Sequence, residues 1–163
     1  MSAETIVNAA KFAWEIIKDG KPTAEITTST ANAVPQVEDW LALTDTRGPN
    51  RHRMNYYVSY VWPFDDYVHV EFDIVLKWQF GARYRNGGAF IPNLWIDVPE
   101  CFVGLGWDAN IGITVRNPTN VGQAGAPLAA LPVTIKGTVS SGLELYHVEW
   151  GFVVYGDGRL DAT

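Results

Sequence analysis

The chain has 163 residues, 47% of them apolar and 18% charged, which excludes a disordered or supercharged polypeptide and suits one domain with a sizeable core. Its formal net charge of −6 argues against a nucleic-acid partner, because neutralising phosphates requires a cationic face. A single cysteine, Cys101, leaves no intrachain disulfide to staple the fold.

The first stretch, MSAETIVNAAKFAWEIIKDGK, begins with an acid and lacks a basic n-region and a small-residue cleavage site. The expectation is synthesis in the cytoplasm without a classical signal peptide. The same stretch predicts an amphipathic helix over residues 3–18. Ser2 suits the cap, Glu4 suits the first turn, and Asp19-Gly20-Lys21-Pro22 stops the helix. Glu4, Asn8, Lys11, Glu15 and Lys18 form one polar stripe, while Ile6, Ala10, Ala13, Trp14 and Ile17 belong to a broad apolar arc. Such an arc either docks on the rest of the domain or inserts into a membrane. Its length of ~26 Å as a helix falls short of a ~30 Å hydrocarbon core.

Strand periodicity follows. Residues 24–30 are β-branched and polar, suiting an exposed strand. Arg47 to Arg53 reads as a cationic loop. Met54, Tyr56, Val58, Tyr60 and Trp62 then share one strand face. The clearest alternation runs from Val68 to Phe80, with His69, Glu71, Asp73, Lys77 and Gln79 on the other face. Asn86-Gly87 signals a hairpin into Phe90–Val98. Residues 101–116 read as one strand containing Gly104 and Gly106. A Gly/Pro/Ala-rich connection leads to strands near 133–139 and 146–154 and a tail over 157–163. Strands with one wet face and no crossover helices imply antiparallel pairing. The expected fold is mostly β: a single domain with an antiparallel β-sandwich over about residues 23–156 and one N-terminal α-helix.

No nucleophile, phosphate-loop or zinc-protease motif is present, so the chain reads as non-enzymatic, with no catalytic residue and no cofactor. His69-x-Glu71-x-Asp73 and His147-x-Glu149 each put polar groups on one strand face. If those strands are neighbours, two imidazoles and a carboxylate can meet a metal ion; the alternative is that alternation alone places them in water, and no metal site is assigned. Two loops carry more. Trp62-Pro63-Phe64-Asp65-Asp66-Tyr67 offers Trp62, Phe64 and Tyr67 at a turn, where aromatics suit a lipid interface or a sugar face. Arg47, Arg51 and Arg53 suit an anionic group. For both loops the bland alternative is packing or solvation at the end of the sandwich.

The layout of a short amphipathic helix, Ser2–Asp19, leading into a disulfide-free, Trp/Tyr-rich sandwich with the aromatic loop Trp62–Tyr67 resembles the actinoporin-like small cytolysins. Sugar-binding fungal lectins and the aegerolysins share the sandwich. The resemblance implies a membrane-interacting, pore-forming or insecticidal-type toxin whose loops contact a target membrane and whose helix inserts or rearranges. The second reading is a lectin recognising a cell-surface glycan, and the third is a self-assembling homo-oligomer.

Overall fold

Period-two alternation dominates the architecture. The computed structural model describes residues 5–10, 13–23, 30–61, 63 and 66–163, with the backbone alone at 40, 61 and 66. Its strands are β1 (Ile6–Val7), β2 (Ala13–Lys18), β3 (Lys21–Pro22), β4 (Ala31–Pro35), β5 (Arg47–Val61), β6 (Asp66–Phe80) and β7 (Ala82–Tyr84). They continue with β8 (Gly87–Val103), β9 (Trp107–Val115), β10 (Thr119–Asn120), β11 (Ala129–Ser141), β12 (Leu145–Tyr155) and β13 (Leu160–Ala162). One sheet has the order β1-β4-β8-β6-β5 with β7 on β8; the other runs β13-β12-β11-β9-β2-β3 with β10 on β11. All ladders between these strands are antiparallel.

The two sheets share one core. Val70, Phe72, Ile74 and Leu76 from β6 are fully buried, and so are Leu131, Ile135 and Val139 from β11, in the same cluster. Removing these faces from water is the main stabilising term, at about 25 cal/mol per Å² of apolar area. This is the two-layer solution available to a sheet with one apolar face.

The N-terminal helix does not form. Residues 6–7 and 13–18 are strands, and β2 pairs with β9. Trp14 and Ile16 are buried while Ala13, Glu15 and Lys18 are exposed. A register shift between Glu15 and Ile17 then buries Ile17 beside Ile16, at 1% and 0% exposure. A bulge of this kind inserts one residue without losing the apolar face. Ile6 is buried in β1, whereas Ala10 is exposed, so the five residues expected on one helix arc are divided between the core (Ile6, Trp14, Ile17) and the surface (Ala10, Ala13). Asp19 and Gly20 have φ of +51° and +73° and join β2 to β3, with Lys18 opposite Lys21. The Asp-Gly pair expected to stop a helix is the two-residue hairpin turn for which that dipeptide is suited. The β-branched Ile16-Ile17 and the open edge of β9 favour the strand, and tertiary pairing overrides weak helix propensity.

Other boundaries also move. Arg47 to Arg53 is not a loop but the first half of β5. Gly104 to Gly106 is not strand interior but the turn between β8 and β9. The hairpin near Asn86-Gly87 forms one residue earlier, with positive φ at Arg85 and Asn86 and Tyr84 opposite Gly87. The expected tail contains β13, paired with β12. Residues 24–29 of the expected exposed strand lie outside the described residues.

Candidate functional site

One end of the sandwich collects four connections: β5 to β6, β8 to β9, β11 to β12 and, packed against Val103, β2 to β3. Register brings them together. Tyr60 pairs with Tyr67, Val70 with Val103, and Ser141 with Trp107. The Leu105 side chain, at the tip of the second connection, is 105% exposed, and Leu143, at the tip of the third, is 97% exposed. Leaving aside Leu41 and Val121, the exposed large hydrophobics among the described residues all lie toward this end. They include Tyr67, Val68 and Leu145 around the tips, with Tyr57 and Phe102 on the adjoining outer face of the first sheet.

Behind the tips lies an aromatic cluster that links the two sheets. His69 is its pivot. The β5–β6 register jumps from Val58↔Val70 to Ser59↔Val68, leaving His69 as the extra residue of a bulge. Bulges re-aim side chains, and this one brings the imidazole against Tyr60 edge-on at 5.1 Å and flat against Trp107 of the other sheet at 5.6 Å. His69, Glu71 and Asp73 therefore do not share a face. Asp73 instead accepts from Asn55 at 2.7 Å and pairs with Arg53 at 3.6 Å on the outside of the first sheet. The bulge needs Gly104: its N–H donates to the His69 carbonyl at 2.7 Å, and a Cβ there would lie 2.9 Å from that oxygen.

Trp107 also stacks on Tyr146, nearly parallel, at 6.3 Å between centroids. Tyr146 donates to Glu144 Oε2 at 2.6 Å, and Tyr60 donates to the same oxygen. Hydrogen bonds from Tyr146 and Tyr60 hold the Glu144 carboxyl below the usual carboxylate range. The bond to Glu144, with a further one to Tyr146, pushes the Tyr60 phenol well above its ordinary value. Deeper in, Tyr56 stacks on Phe72 at 5.3 Å, and burial raises its phenol too. Both outer phenolic hydrogens are thus committed to one carboxylate. What the cluster presents outwards is ring surface around a fixed acceptor.

The residues singled out in the sequence are distributed unevenly. Tyr67 stands at this end and is 52% exposed. Trp62 and Phe64 lie outside the described residues. Arg47, Arg51 and Arg53 do not join Tyr67. Arg47 sits over the Phe80 ring at 5.3 Å, about 40 Å from Tyr60 along β5 at the usual rise per residue. Trp14 and Ile17 are core, and Ala13 lies on the exposed side of β2. The two His/Glu pairs fall in different sheets, and among the described residues no three His, Cys, Asp or Glu side chains gather around a metal-sized space.

No family model, curated protein or solved structure matches this chain. Its functional reading rests on the geometry of this end.

Sequence reasoning missed Leu105, Leu143, Trp107, Tyr146 and Glu144 as members of one site. One signal was present: Gly104-Leu105-Gly106 and Gly142-Leu143 each put a large apolar residue on a glycine-bounded turn, where no strand face is available to bury it.

Proposed function

We propose that this protein is a non-enzymatic membrane-surface binder, of the small cytolysin kind, that docks by the loop end of its sandwich. The carrying observation is the near-complete exposure of Leu105 and Leu143 on two adjacent turns, with Tyr67, Tyr60 and Tyr146 exposed at the same end. Water-exposed leucines at turn tips gain about 1.5–3 kcal/mol each on entering an apolar medium. Tyrosines suit the headgroup level, because the ring is apolar and the hydroxyl polar. The charges at this end, the acids Glu144, Asp108 and Asp19 beside Lys18 and Lys21, give no cationic excess, which favours a neutral or zwitterionic surface over an anionic one. Insertion of an N-terminal helix has no part in this reading, because residues 13–18 are a strand of the second sheet.

Co-sedimentation with zwitterionic and anionic liposomes tests it, with dye release recorded in parallel. Binding to zwitterionic vesicles that is lost when both leucines become aspartate supports the reading. No sedimentation with any vesicle overturns it. Dye release decides whether docking leads to a lesion.

A second reading has its own observation. Trp107 and Tyr146 present a stacked pair beside the Glu144 carboxylate, a combination suited to a sugar ring with hydroxyl groups to donate. Binding on a glycan array that survives the leucine changes but not Trp107→Ala would favour it.

A further inference from the structure

β5 is the edge strand of the first sheet: it pairs with β6 on one side, and no described residue forms a ladder on the other. An unpaired edge offers a row of backbone N–H and C=O groups to any other strand, and native chains protect it. The other edges of this sandwich are protected. β1, β3 and β13 are two or three residues long. β2 carries Glu15, Lys18 and a bulge, and Thr23 already donates to its Ile16 and Glu15 carbonyls. The half of β12 beyond β13 carries His147 and Glu149.

β5 has none of these devices. It is 15 residues long and contains no acid, in a chain of net charge −6. Its first residues are closed off, since the Asn50 amide donates to the Gly158 carbonyl at 2.8 Å. From Arg51 to Ser59 the strand runs on without proline or an inserted residue, because the bulge at Ser59 has its extra residue, His69, in β6. Arg51, Arg53, Asn55, Tyr57 and Ser59 share the outer face and are all exposed, Tyr57 by 63%. The stretch is lopsided in charge, with both arginines at one end and no charge at the other. Arg51 makes no side-chain ion pair or hydrogen bond to a described residue and stands opposite Lys77, an unfavourable like-charge pair. Glu71, opposite Tyr57, is likewise without an ion pair among the described residues.

We propose that β5 is the interface of a two-fold dimer, in which a second copy adds its own β5 and the two first sheets become one. A two-fold axis between identical strands makes the pairing antiparallel and requires a self-complementary edge. This edge is one. Centred on Asn55, the middle of the open stretch, the pairing sets Arg51 opposite the partner's Ser59 and Arg53 opposite the partner's Tyr57. The inner row matches as well, His52 with the partner's Val58 and Met54 with the partner's Tyr56. The cationic end of each copy meets the uncharged end of the other, and an arginine over a tyrosine ring is a favourable contact. The partner's Glu71, beside its Tyr57, supplies an acid on the same face. In-register parallel pairing would instead set arginine beside arginine. Antiparallel pairing points the two loop ends in opposite directions and leaves both free, so the dimer and the loop-end reading stand or fall separately.

Sedimentation equilibrium of the full chain over about 1–300 μM, a range that spans micromolar association, measures the mass, and ¹⁵N-detected hydrogen exchange at both ends of that range reads β5. The mass should rise from one chain to two. Alternate amides between Arg51 and Ser59, those facing away from β6, should gain protection as the dimer fills. Ser59→Lys places an ammonium group opposite Arg51 twice across the axis and should weaken association about tenfold, whereas Ser59→Glu should tighten it. Both alter an exposed side chain, so the melting temperature of the dilute monomer should not change. A one-chain mass at every concentration overturns the proposal. So does a dimer whose β5 amides stay unprotected, or one whose affinity moves in the same direction with Ser59→Lys and Ser59→Glu.

Discussion

His69 and Trp107 belong to different sheets, yet their rings lie nearly parallel with centroids 5.6 Å apart. That contact, with Tyr60 on one side and Tyr146 on the other, ties the loop end of the sandwich together.

Removing the imidazole should therefore loosen this end. His69→Ala loses two ring contacts at roughly 0.5–1.5 kcal/mol each, so urea unfolding should show a loss of about 1–3 kcal/mol. A loss near zero would mean that the stack is incidental to stability.

The tips behave oppositely. Leu105→Asp and Leu143→Asp alter side chains that are 105% and 97% exposed. Each should change stability by less than about 0.5 kcal/mol, as surface substitutions do. The double variant should lose liposome binding by roughly a hundredfold or more, since two leucines leaving water contribute about 3–6 kcal/mol. Thermal melts run beside co-sedimentation separate the two effects.

The Glu144 cluster should set a pH window. Its carboxyl is held low in the fold, so its contribution is present above the unfolded value of ~4.3 and lost as pH falls through the folded one. Tyr60 is held high, so its contribution is complete below ~10 and is lost as pH rises through its raised value. Stability should plateau between these limits. In Glu144→Gln the drop in melting temperature from pH 6 to pH 3 should be smaller than in the unaltered protein. Equal drops would remove Glu144 from the acid response.

The N-terminal hairpin makes a prediction at its turn and at its bulge. Gly20 has φ of +73°, and a Cβ there would lie 3.3 Å from Val103 Cβ. Gly20→Ala should destabilise by about 1–2 kcal/mol. Ile16→Ala and Ile17→Ala should each cost about 2–5 kcal/mol, because the bulge buries both. Chemical denaturation of the three variants measures all of these.

The sequence alone determined the strands with an unbroken period of two. From Val70 to Trp78 every second residue is buried, as the alternation requires, because a one-residue slip would expose the whole apolar set. The antiparallel, mostly β character followed from the same pattern. The N-terminal segment was not legible, since Ile6, Trp14 and Ile17 satisfy a helical arc as readily as a bulged strand. Only the open edge of β9 and the Asp19-Gly20 turn decide between them. The site was less legible still. Tyr60, His69, Trp107 and Tyr146 come from four strands in two sheets, and sequence spacing carries no information about sheet order. The bulge that turns His69 inwards breaks the very alternation from which its direction was read. Tertiary structure decided the site because facing and register, set by packing two sheets over one core, bring together residues that chain order keeps apart.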